Sequence, residues 1–162
     1  MINKSLALST AAAALSAVAW MPQAQASGTA TVATASIQTF RNGATGRCLD
    51  DSHEGTRTFP CNGLTYQQWN VQVDPRNNSR QLKNIATGKC LVSGTKGYIG
   101  TSDCGITGVG SAQDWFVYKY GDGSVELKNA RTGLCLDDSY DYQLRGFPCG
   151  SHSAKSPYQN WR

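Results

Sequence analysis

Two stretches of this chain hold most of its chemistry. Gly46 to Cys61 reads GRCLDDSHEGTRTFPC, and Gly133 to Cys149 reads GLCLDDSYDYQLRGFPC. Each has a pair of adjacent acids (Asp50-Asp51, Asp137-Asp138), then an arginine (Arg57, Arg145), then a phenylalanine before Pro-Cys (Phe59, Phe147). A tyrosine follows each stretch, Tyr66 or Tyr158. Paired acids raise glycoside cleavage first. Adjacent strand residues point to opposite faces, so neither pair converges on one bond. What remains is a hydrogen-bond acceptor, a donor and apolar rings, a set suited to holding a carbohydrate. Catalysis finds no other footing. His53 and His152 lie in loop stretches without a repeated partner, and the chain has no Gly-rich phosphate cradle, His-x-x-x-His or Cys-x-x-Cys. Nothing calls for a metal or a cofactor.

The elements that must position these residues come in three copies. Asn-x-x-Thr-Gly occurs at Asn42–Gly46, Asn84–Gly88 and Asn129–Gly133. A Cys-Leu pair follows each time, at Cys48-Leu49, Cys90-Leu91 and Cys135-Leu136. A second cysteine comes 13, 14 and 14 residues later, at Cys61, Cys104 and Cys149. Each copy closes on Gln-x-Trp: Gln67/Trp69, Gln113/Trp115 and Gln159/Trp161, with the tryptophans 46 residues apart. A period of this size means repeated supersecondary units. Six cysteines allow fifteen pairings. Equivalent units most simply pair within themselves, as Cys48–Cys61, Cys90–Cys104 and Cys135–Cys149; cross-unit pairing is the alternative.

Within each copy the segments are short. Ser36–Phe40, Gln81–Lys83 and Val125–Lys128 alternate, and Trp69–Val73 and Trp115–Tyr118 continue from the tryptophans as strands. Asn-x-x-Thr-Gly reads as a turn, and Asp74–Ser79 and Lys119–Ser124 are turn clusters joining the copies. The expectation is an all-β chain with about four strands per copy around one shared core.

The first 26 residues are set apart. Lys4, the apolar run Ser5–Ala19 and Ala24-Gln25-Ala26 read as a secretory signal peptide followed by a flexible leader, 27–35. The apolar run is shorter than a bilayer span. With Lys4 removed the chain carries 14 basic and 11 acidic side chains, a mild +3 with no dense basic run. That balance and an extracellular address argue against nucleic acid, although arginines and aromatics interleave near both stretches. An even cysteine count suits an exported, oxidised protein.

Cys-Leu-Asp, a second cysteine and a terminal Gln-x-Trp, three times in register over about Phe40 to Arg162, resemble the ricin B-type β-trefoil lectins and the bacterial carbohydrate-binding modules of the same type. The resemblance implies a β-trefoil, 36–162, with one disulfide per repeat and up to three shallow sugar sites. It implies that Trp69, Trp115 and Trp161 fill the core and that Gln67, Gln113 and Gln159 bind backbone. It makes Asp50 and Asp137 acceptors for sugar hydroxyls, and Phe59 and Phe147 stacking rings. The middle copy has Val92 and Ser102 at those positions, so it is expected to lack the site. The chain also departs from the family's pattern: Arg57 and Arg145 (Gly100 in the middle) replace a glutamine, and Tyr66 and Tyr158 (Ala112 in the middle) replace an asparagine. The expected function is secreted, non-catalytic binding of a polysaccharide or glycan-coated surface, with galactose- or xylose-type units implied by the resemblance. A protein-binding trefoil, acting on a separate secreted protein as inhibitor, adaptor or toxin-delivery subunit, is the alternative.

Overall fold

The computed structural model describes residues 35–105, 110–151 and 154–162. The signal peptide, the leader up to residue 34 and His152 lie outside the described residues. The first repeat supplies β1 (Ser36–Gln38), β2 (Cys48–Ser52), β3 (Gly55–Phe59) and β4 (Trp69–Val73). The second supplies β5 (Arg80–Asn84), β6 (Cys90–Ser93), β7 (Ile99–Ser102) and β8 (Trp115–Lys119). The third supplies β9 (Val125–Asn129), β10 (Leu134–Ser139) and β11 (Gln143–Pro148). Where a twelfth strand would fall, Trp161 bridges Asn42 and Val125. Paired backbone bonds between Arg41 and Arg162 join the first repeat to the last. The pairing order β1-β4-β5-β8-β9 runs through the barrel strands, and β2–β3, β6–β7 and β10–β11 are the three hairpins. This is an all-β trefoil.

The strands expected from the tryptophans form as expected, and antiparallel pairs β4–β5 and β8–β9 match residue for residue across the repeats. The segment from Ser36 differs in part. Ser36 to Gln38 are all exposed, because β1 is an edge strand of its sheet, and only Phe40 reaches the core. Sequence alternation also misses the single 3-10 turns at Thr65–Gln67 and Pro157–Gln159, which are too short to leave a period.

Threefold logic governs the core. Trp69, Trp115 and Trp161 are completely buried, as are Leu49, Leu91 and Leu136 after the first cysteines. Phe40, Leu82 and Leu127 form a third matched set. Each indole Nε1 donates to the carbonyl of the leucine of its own repeat, at 3.1, 3.1 and 3.0 Å. The polar end of each tryptophan is thereby satisfied, which permits full burial. Each Gln of Gln-x-Trp donates through Nε2 to a backbone carbonyl next to the second cysteine: Gln67 to Pro60, Gln113 to Asp103 and Gln159 to Pro148. The three disulfides are intra-repeat, with Cα–Cα distances of 5.0–5.1 Å.

The Asn-x-x-Thr-Gly turn is built alike each time. The Asn Oδ1 accepts from the backbone amides two and three residues on, and the glycine amide returns to the Asn carbonyl at 3.0 Å. Those glycines, Gly46, Gly88 and Gly133, have φ near +70°, a conformation that a side chain would strain. The Asn amide nitrogen reaches into the preceding repeat, to the carbonyls of Tyr66, Ala112 and Tyr158, at 2.8 Å in each case.

Candidate functional site

The hairpin registers decide which side chains meet. Cys48 pairs with Phe59 and Asp50 with Arg57 across β2–β3, so these four share one face. Cys135 pairs with Phe147 and Asp137 with Arg145 across β10–β11 in the same way. Cross-strand neighbours at this spacing touch. Arg57 Nε lies 3.4 Å from Asp50 Oδ1, and its guanidinium sits 4.6 Å from the centre of the Phe59 ring. Arg145 Nε lies 2.9 Å from Asp137 Oδ1, and its guanidinium sits 4.1 Å from Phe147 and 4.3 Å from Tyr142.

Each acid is therefore a floor with the arginine on it, and the arginine meets one aromatic ring in the first repeat and two in the third. Both aspartate side chains are only 4% exposed. The rings are open to solvent: Phe59 at 40%, Phe147 at 44%, Tyr66 at 37% and Tyr158 at 46%. The phenylalanines are not packed away beside their prolines. Gln67 ties the first site to the scaffold, since its Nε2 also donates to Asp50 Oδ2 at 3.2 Å. Tyr66 precedes Gln67 in the same 3-10 turn.

The two sites are not equal. In the third repeat, Tyr158 and Arg145 line one cleft of about 210 Å³ together with Tyr140, Asp141 and Tyr142. The first repeat has Ser52-His53-Glu54 where the third has Ser139-Tyr140-Asp141-Tyr142. Tyr140 and Tyr142 went unassigned in the sequence because they belong to the hairpin tip and have no counterpart in the first repeat. Their clustering after Ser139 was the available signal.

The second acid of each pair has a different task. Asp51 and Asp138 point to the opposite face and are buried. Asp51 accepts from Thr56 (2.7 Å), Thr101 (3.0 Å) and Thr87. Asp138 accepts from Thr58 (2.8 Å), Thr45 and Arg47 (3.0 Å). In the middle repeat the position is Ser93, whose hydroxyl meets that of Thr132 at 3.0 Å. The turn threonine of one repeat always meets this position in the repeat before it, so the three junctions close a ring. Capping of the hairpin tips falls to the serines: Ser52 Oγ accepts from the Glu54 amide and Ser139 Oγ from the Tyr142 amide.

The adjacent acids form no catalytic pair. Asp50 and Asp51 diverge, as do Asp137 and Asp138. His53 is exposed beside Glu54 at 3.0 Å, far out on a hairpin tip. The grouping of Glu126 with Cys135 and Cys149 is not a ligand set for a metal, because both sulfurs are committed to a disulfide. No described helix is long and apolar enough to cross a membrane.

Comparison with known proteins agrees with the fold. Residues 36–162 match the model of the ricin-type beta-trefoil lectin domain. No curated protein sequence matches the chain. Among solved structures, the designed 3-fold symmetric protein ThreeFoil superposes with a TM-score of 0.65 at 20% identity, over 78% of this chain and 96% of its own. SeviL, solved bound to asialo-GM1 saccharide, gives 0.62 at 15% identity, over 79% and 95%. A mosquitocidal holotoxin gives 0.67 at 14% identity over 78% of this chain, which spans only 16% of the toxin chain. At these identities the likeness is one of fold. The family match covers most of the sequence, and the chain belongs to the ricin-type beta-trefoil lectin domain family.

Proposed function

We propose that this protein is a secreted, non-catalytic lectin that binds a polysaccharide or a glycan-coated surface through two shallow sites, in the first and third repeats. Residues 1–26 act as its signal peptide and 27–35 as a leader to the 36–162 domain. One observation carries the reading: the acid–arginine–ring stack Asp50/Arg57/Phe59 is repeated as Asp137/Arg145/Phe147, with the rings exposed both times. Family membership supports saccharide as the ligand class, and a saccharide complex is known for the similarly folded SeviL. The three disulfides suit an oxidising compartment.

The covered aspartates refine the roles expected from the family. Asp50 and Asp137 hold the guanidiniums against the rings. Arg57 and Arg145 present their outer N–H groups to sugar hydroxyls, while Phe59, Phe147, Tyr66 and Tyr158 supply apolar faces. Such sites bind one sugar weakly, with Kd on the order of mM, or roughly 4 kcal/mol. Two of them on one polymer gain by linkage. The test is a broad screen of glycans and polysaccharides by surface-captured binding, followed by Asp50→Ala, Asp137→Ala and the double variant. Each single change removes about one site and the double change abolishes binding. A blank screen, or a double variant that binds like the parent, overturns the reading.

The same layers favour one second reading. Half-buried arginine against aromatic rings is also the composition of protein-binding hot spots, and similar folds occur within toxins. A protein partner would then take the place of the glycan at these residues.

A further inference from the structure

The middle repeat was expected to lack a site because Val92, Gly100, Ser102 and Ala112 replace the acid, the arginine and both rings. Those four changes leave space. A cleft of about 380 Å³ opens there, lined among others by Val92, Tyr98, Ser102, Ala112, Arg131 and Thr132. Tyr98 is not part of the repeat pattern: its place in register falls to Gly55 in the first hairpin and Gln143 in the third. Its ring lies across the backbone of Gly100. A Cβ at residue 100 would stand 2.8 Å from the ring's Cε1 and nearer still to its hydroxyl, so only glycine admits this pose. The ring is 60% exposed. Arg57 and Arg145 arise at the position of Gly100, so a tyrosine ring occupies here the space of their side chains.

Charge distinguishes this cleft from the other two. At those sites the arginine is neutralised by its aspartate. Here no acid lines the cleft among the described residues, and Arg131 enters from the Asn-x-x-Thr-Gly turn of the third repeat. The corresponding turn residues are Ala86 beside the first site and Ala44 beside the third. The Arg131 side chain is exposed and takes part in no hydrogen bond or ion pair among the described residues. A ring face, hydroxyls at Ser102, Thr132 and Thr95, and one uncompensated guanidinium converge on the same space. We infer that the middle repeat is a rebuilt site rather than an erased one, and that it binds an acidic saccharide. A uronate residue would lie on Tyr98 and give its carboxylate to Arg131, whose planar fork suits a carboxylate.

This inference rests on the reading of the protein as a lectin, but it uses none of the same residues. The probe is a galacturonic acid trimer, with its fully methyl-esterified form as the uncharged counterpart, titrated by calorimetry and by shifts of backbone amide signals. The acid binds about tenfold more tightly than the ester at low salt, and the gap narrows at high salt. Arg131→Gln brings the acid down to the ester's affinity. Tyr98→Ala abolishes binding of both forms. Gly100→Ala displaces the ring and weakens both, with thermal unfolding and disulfide content recorded to confirm a folded protein. Arg57→Ala with Arg145→Ala leaves trimer binding unchanged while removing neutral glycans. Equal affinity for acid and ester, no binding of either, or indifference to Arg131→Gln or Tyr98→Ala overturns the inference. So does loss of the trimer in the Arg57/Arg145 variant. Neutral-glycan binding that survives any of these results leaves the two-site lectin standing.

Discussion

Asp50 and Asp51 are neighbours with the same side chain, yet the strand sends them into different physical situations. Asp50 backs a surface arginine, and Asp51 is buried among three threonine hydroxyls drawn from two repeats. Removing Asp51 strands those donors, and a buried polar group without a partner costs about 1–3 kcal/mol. Asp51→Ala is therefore expected to lower the unfolding free energy by about 2–3 kcal/mol in urea titration with disulfides intact, and to leave the sites of the folded protein working. The middle repeat already shows how the junction tolerates a smaller group. Ser93 stands there, and Gly146 replaces the threonine that Thr58 and Thr101 supply elsewhere; a Cβ on Gly146 would lie 3.4 Å from Ser93 Oγ. Asp51→Ser together with Thr101→Gly copies that junction, and the pair is expected to cost less than the sum of the single changes. A strictly additive result would show that the two positions do not share one junction. The site arginines invert this pattern. Arg145→Lys keeps the charge but loses the plane that stacks on Phe147 and Tyr142. It should weaken glycan binding at the third site several-fold while shifting the melting temperature little.

Elements carry the asymmetry between the two sites. β10–β11 is one residue longer at its tip than β2–β3 and ends in Tyr140 and Tyr142, whereas β2–β3 ends in His53 and Glu54. Tyr142 stacks on the arginine, and Tyr140 hydrogen-bonds the Thr45 carbonyl at 3.0 Å and faces Arg47. The third-repeat hairpin should therefore dominate binding. Arg145→Ala is expected to remove more affinity than Arg57→Ala in the same glycan titration, and Tyr142→Ala should erase most of that difference. The strands themselves were legible in the sequence, because a tryptophan at a fixed place starts β4 and β8 and alternation follows from it. The cysteine pairing was legible because a spacing of 13 or 14 residues recurs in each of three copies. The tyrosines at the hairpin tips and the threonine–aspartate junctions were not. Tyr140 and the turn threonines find their partners in other repeats, which no single-repeat pattern records, and Tyr142 meets Arg145 only through the longer tip of its own hairpin. The covering of Asp50 and Asp137 was hidden for a related reason: acid and arginine read as separate acceptor and donor until the register places them opposite one another.

At the scale of the molecule, the trefoil closes where its ends meet, and one cluster of charges secures that seam. Asp122, in the turn before β9, accepts from Lys155 at 2.6 Å and from Arg162 at 3.0 Å, and Ser124 donates to it as well. The Lys155 bond first, then the Ser124 bonds and Arg162, hold its carboxyl well below the usual range. A depressed folded pKa contributes stability that is fully present above the unfolded value of about 3.9 and is lost as pH falls below it. Asp122→Asn should therefore lower the melting temperature at pH 7, and the gap between variant and parent should narrow as the solution is taken from about pH 4 down toward pH 2. A gap that stays constant through that range would mean the aspartate acts by shape rather than by charge. Lys155 also lies 5.0 Å from the centre of the Tyr120 ring, so the same change is expected to loosen the turn that joins the second and third repeats. The aspartate–arginine pairs of both sites lie on the hairpins and make no bond to Asp122, so glycan affinity should hold at pH 7 in Asp122→Asn even as its stability falls. Avidity for a polymer depends on both sites being fixed in one frame. The variant's binding to a polysaccharide should consequently collapse at its own melting temperature, in one step for both sites, as calorimetric and binding melts recorded side by side would show.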